Sequence, residues 1–102
     1  GGGAVELQEI DGFRMQITGE FPTFVTFHRD THGVVAAVAA LMADRRINIA
    51  SLTLHRKARG GLASLVAEID HPGAPDETLR DAVAAAHPAI LRVVELCTSG
   101  GN

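Results

Sequence analysis

One hundred and two residues, 46% hydrophobic and 21% charged, are enough for one globular core and exclude a disordered chain. A formal charge of -3 weighs against a dedicated nucleic-acid binder, whose footprint is strongly basic. The single cysteine, Cys97, excludes an internal disulfide, a Cys₄ zinc site or an unaided iron–sulfur cluster, and this sparing usage fits a cytoplasmic location.

Residues 1–4 are glycine-rich and read as a linker. Apolar residues alternate around Val5 and Leu7, Asp11-Gly12 is a hairpin-turn signal, and Phe13, Met15 and Ile17 resume the alternation. A short hairpin is therefore expected over 5–19, as an appendage to the main body of the domain. After Pro22, the β-branched and aromatic run 23–28 predicts a strand. Residues 28–33 turn the chain, and Val34, Val38, Leu41 and Met42 recur at helical spacing, predicting a helix from about Gly33 to Arg45 with Asp30 or Thr31 as N-cap. Asn48 to Lys57 reads as a strand, Gly60-Gly61 as a turn, and Leu62 to Asp70 as the antiparallel partner. Asp76 is expected to cap a second helix with a buried stripe of Leu79, Val83 and Ala86. That helix ends at His87-Pro88. Residues 89–97 form a last strand, and 98–102 a flexible tail. No apolar run approaches the length of a membrane span.

The order strand, helix, strand, strand, helix, strand is that of an α+β ferredoxin-like βαββαβ sandwich. Its four-stranded antiparallel sheet carries both helices on one face. This plan serves unrelated functions, so residues must decide between them. An RNA-recognition motif needs aromatic residues on its exposed strands, and 62–70 contains none. The basic group His55, Arg56, Lys57 and Arg59 reads as a solvated hairpin tip, or as charge that discourages edge pairing. No nucleophile–base pair is signposted, so no catalysis is expected from this chain alone. His28, Asp30 and His32 can be drawn as a metal triad, but the two histidines lie across a turn and not on one helix face, so no metal is assigned. His71 and His87 stand beside prolines and read as surface loop residues.

The turn before the first helix is the informative place. Gly33 permits close approach to a ligand, and the helix N-terminus favours a carboxylate. Asp30 can pair with an ammonium group, His28 can donate or accept, and Asn48 offers an amide. Together they match the two ends of a free α-amino acid. The same residues also have a plain structural role, Asp30 as an N-cap and Asn48 as a helix-exit residue.

The strand ending His28-Arg29-Asp30, then His32-Gly33-Val34, a helix, and Arg46-Ile47-Asn48-Ile49-Ala50-Ser51 resemble an ACT domain over 22–97. The flanking Glu9-Ile10-Asp11-Gly12-Phe13 and the stretch Arg56-Lys57-Ala58-Arg59-Gly60-Gly61 are similar to the C-terminal ACT region of iron–sulfur L-serine dehydratase β subunits. The ACT domain of D-3-phosphoglycerate dehydrogenases is the alternative. The resemblance implies a non-catalytic regulatory module that binds a small amino acid, L-serine above all, between paired copies. Its ligand residues would be His28, Asp30, Gly33, Val34, Asn48 and Ile49. It also implies a parent enzyme that converts L-serine to pyruvate and ammonia on a [4Fe–4S] cluster held elsewhere, and a catalytic domain or subunit as partner. Two residues depart from the family pattern: His32 stands where proline is common, and Asp30 where asparagine is common. A docking or dimerisation module without a small ligand is the reading of a different class.

Overall fold

The structure, a computed structural model, describes residues 6–10, 13–17, 21–56, 61–70 and 77–96. Eight elements run in chain order: β1 (Glu6–Ile10), β2 (Phe13–Ile17), β3 (Thr23–Arg29), α1 (Val34–Asp44), β4 (Asn48–Arg56), β5 (Leu62–Asp70), α2 (Glu77–Ala84) and β6 (Ile90–Leu96). The four strands β3 to β6 form one antiparallel sheet in the order β4-β5-β3-β6, and β1 pairs with β2 separately. This is the expected ferredoxin-like plan. The expected linker 1–4, the Asp11-Gly12 turn, the Asp76 cap and the tail 98–102 lie outside the described residues, as do His71 and Cys97.

Alternation along the strands sorts side chains to the two faces. On one face Phe24, Leu65 and Ile69 pack against Val38 and Met42 of α1 and Leu79 and Val83 of α2. Burying each of these side chains contributes on the order of 2 kcal/mol. Of the expected α2 stripe, Leu79 and Val83 are buried and Ala86 is half-buried.

The opposite face differs from expectation. The hairpin is no appendage. Phe13, Met15 and Ile17 of β2 are buried against Val25 and Phe27 of β3 and Val66 of β5, forming a second apolar layer. The Phe13 and Phe27 rings stand 5.6 Å apart at 46°, and the Arg92 guanidinium lies 5.7 Å from the Phe27 ring centre. The physical reason is that Val25 and Phe27 of β3 and Val66 of β5 set apolar side chains on the face away from the helices, and these require cover. β3 is accordingly buried from Thr23 to His28.

The ends of α1 differ from expectation as well. Its N-cap is Gly33, at φ 92° with no side-chain capping bond, and neither Asp30 nor Thr31 caps it. The Asp30 carboxylate is drawn instead to a cation on β4. At the other end Arg46 takes a left-handed φ of 59°. Its N–H donates to the Ala43 carbonyl at 3.0 Å, while the Ile47 N–H donates to that of Met42 at 2.9 Å. This is a Schellman closure with arginine where glycine is usual, and it buries Ile47 beside Met42. No described helix is long and apolar enough to cross a membrane.

Candidate functional site

The start of α1 is where the sheet, the helix and two loops meet. β3 delivers His28 there. Its side chain is 2% exposed and lies on the helix-bearing face, the face of Phe24. Nδ1 lies 2.7 Å from the Arg29 carbonyl oxygen. A carbonyl only accepts, so Nδ1 carries the proton and Nε2 presents a lone pair in the neutral ring. That Nε2 is buried without a hydrogen-bond partner among the described residues, as is the Thr26 hydroxyl two residues earlier on the same face. In that tautomer the His28 ring donates through Nδ1 and can accept only through Nε2.

Asp30 comes two residues later in the chain. Its N–H donates to the Gly61 carbonyl at 2.9 Å, tying the turn to the start of β5. Its carboxylate accepts from Arg56, with Nε at 2.8 Å and Nη2 at 2.7 Å, both on Oδ2. The sequence alone reads Arg56 as a solvated tip charge. Strand pairing brings it here, because Ala63 of β5 stands opposite both His28 and Arg56.

Gly33 opens the helix, and the first N–H groups of α1 have no acceptor within the helix. Val34 contributes backbone only, since its side chain is buried. On the side away from Arg56 stands His87, which is half-buried and not a free surface residue. Its Nδ1 accepts from the Ala89 N–H at 3.0 Å, and the Arg29 N–H donates to the Ala89 carbonyl at 3.0 Å, which fixes the loop to β3. The φ of 92° at Gly33 favours glycine, and a Cβ placed there would lie 3.2 Å from His87 Nε2, a tight contact with that ring.

Of the six residues singled out from the sequence, His28, Asp30, Gly33 and Val34 come together at this end of the sheet. Asn48 and Ile49 do not join them within one chain. Asn48 pairs with Asp70 while Arg56 pairs with Ala63, which places Asn48 about 23 Å along the sheet. Asn48 is exposed on the edge strand β4, and Ile49 packs against the helix-side core. The His28, Asp30 and His32 triad does not form: His28 turns inward, His32 is exposed, and no three such ligands converge among the described residues. Sequence reasoning missed Arg56 and His87. Both arrive through strand pairing, which local patterns do not reveal.

The family model for the ACT domain matches residues 23–82, from the first sheet strand into α2. The chain belongs to the ACT domain family. It is 36% identical over 70 residues to a probable L-serine dehydratase β chain of Bacillus subtilis (strain 168), covering 69% of this chain and 32% of that one. It is also 28% identical over 79 residues to a D-3-phosphoglycerate dehydrogenase of Synechocystis sp., covering 78% of this chain and 14% of that one. The chain therefore spans about a third or less of the length of these relatives. Among solved structures, the ACT domain from GTP pyrophosphokinase of Chlorobium tepidum superposes with a TM-score of 0.57 at 17% identity, over 74% of this chain and 97% of that one, a likeness of fold.

Proposed function

We propose that this ACT domain is a regulatory amino-acid sensor whose site lies at the start of α1, and that its parent is an L-serine dehydratase. The observation that carries the reading is the open start of α1: its cap, Gly33, makes no side-chain bond, and the Asp30 carboxylate stands three residues before it. A zwitterion complements this arrangement: its carboxylate would take the helix N–H groups and its ammonium the Asp30 carboxylate. The 36% identity to an L-serine dehydratase β chain supports L-serine as that ligand.

Asn48 and Ile49 enter from a second copy. β4 is an edge strand, so a two-fold axis near Leu52 would pair two β4 strands antiparallel. That pairing sets Asn48 of one copy beside Arg56 of the other and closes the site at the interface. The back face of the sheet is already covered by the hairpin, which supports association through the edge. The chain's one cysteine cannot hold a [4Fe–4S] cluster, so that cofactor would sit in the remaining part of the parent enzyme, as would the dehydratase chemistry.

The test is a calorimetric titration of the chain with L-serine, with D-serine as control, at a concentration that populates a dimer. Stereospecific heat that is lost in Asp30→Ala is expected. A flat trace with a stable dimer would instead support a docking module that binds nothing small.

A further inference from the structure

The Asp30–Arg56 pair has more capacity than the fold uses. Arg56 is 62% exposed and Asp30 13% exposed, and a surface pair of this kind adds only about 0–1 kcal/mol to stability. Both of its contacts fall on Oδ2, by way of Nε and Nη2. A guanidinium has five N–H donors, so three remain, and Oδ1 has no partner among the described residues. Geometry directs this unused capacity toward one place. His28, Ala63 and Arg56 form a single row across three strands, so their side chains share the helix-bearing face. His28 and Arg56 are two strands apart, about 10 Å, with Ala63 between them in the row.

Charge gives the pair a purpose. An aspartate next to a helix N-terminus would repel the very carboxylate the helix attracts. A guanidinium beside it cancels that repulsion and offers a planar fork suited to a carboxylate. A zwitterion set against the pair meets opposite charge at both ends: its ammonium faces Oδ1 and its carboxylate faces the free Nη hydrogens.

We propose that Arg56 recognises the carboxylate of the bound amino acid and is a specificity-determining residue of the site. The inference rests on the amino-acid reading of the same site. The experiment is a calorimetric titration of the wild-type chain and Arg56→Gln with L-serine and with ethanolamine, which keeps the ammonium and hydroxyl but lacks the carboxylate. Arg56→Gln is expected to weaken L-serine by about 10- to 100-fold and to leave ethanolamine within about twofold. An unchanged L-serine affinity overturns the proposal, as does an equal loss for both ligands, which would make Arg56 only a support for Asp30. Where wild-type affinity for ethanolamine is too weak to measure, Arg56→Gln is compared in an Asp30→Asn background. A further loss for L-serine there supports direct contact, and none overturns it. A wild-type chain that takes no L-serine at all refutes the amino-acid reading itself, a result distinct from the failure of Arg56 alone.

Discussion

Phe13→Ala tests whether the hairpin is part of the fold or an ornament on it. Phe13 is 4% exposed, contacts the Phe27 ring at 5.6 Å, and belongs to the layer that buries Val25 and Val66. Truncating a buried phenylalanine costs about 3–5 kcal/mol through lost transfer energy and the cavity left behind. A domain of this size has roughly 5–15 kcal/mol in total, so a fifth or more of its stability is at stake. Urea unfolding should show that loss as a lower midpoint at a similar slope, and the melting temperature should fall by more than about 10 °C. Glu9→Ala, at an exposed position of β1, is the control and should change stability by less than about 0.5 kcal/mol. A double-mutant cycle with Phe27→Ala should return about 0.5–1.5 kcal/mol of coupling for the ring pair. A Phe13→Ala loss below about 1 kcal/mol would mean that the sheet's second face is not covered by the hairpin, and the argument for association through β4 would fall with it.

Other substitutions probe the ends of α1 and the buried polar groups. Gly33→Ala forces an L side chain to φ 92° and against His87, and should cost at least about 1–2 kcal/mol in thermal unfolding. Arg46→Gly relieves a left-handed residue at the helix exit and should raise stability by about 1 kcal/mol in the same assay. Thr26→Val removes, at nearly constant shape, a buried hydroxyl with no partner among the described residues, and should raise the urea midpoint by an amount equal to about 1 kcal/mol or more. Asp30→Ala should leave the melting temperature almost unchanged, because its ion pair is partly exposed, while abolishing heat on L-serine addition.

The fold is largely legible because its signals are local. The 3.6-residue spacing of Val34, Val38 and Met42 marks α1, and the runs at 23–28 and 62–70 mark the two central strands. What stays hidden depends on pairing. Phe13, Met15 and Ile17 announce a buried face without saying what buries it, although Val25 and Phe27, opposite in facing to Phe24 on β3, are a usable hint. Asp30 has an N-cap's chemistry, yet the β4–β5 register sets Arg56, twenty-six positions later, on its carboxylate. His87 reaches Gly33 because the β3–β6 pairing carries the preceding loop there. Family resemblance and residue chemistry group Asn48 with Asp30, and the length of β4 puts it at the far end of the sheet in its own chain.

The most direct test of the amino-acid reading is a titration of the ¹⁵N-labelled chain with L-serine, monitored by amide chemical shifts. A site shared between two copies predicts saturable changes at Asp30, Gly33 and Val34 together with Asn48 and Ile49, since the second copy supplies the last two. It also predicts no comparable response to D-serine. Changes confined to the α1 end would contradict the shared site. An unperturbed spectrum at saturating L-serine would contradict the sensor itself.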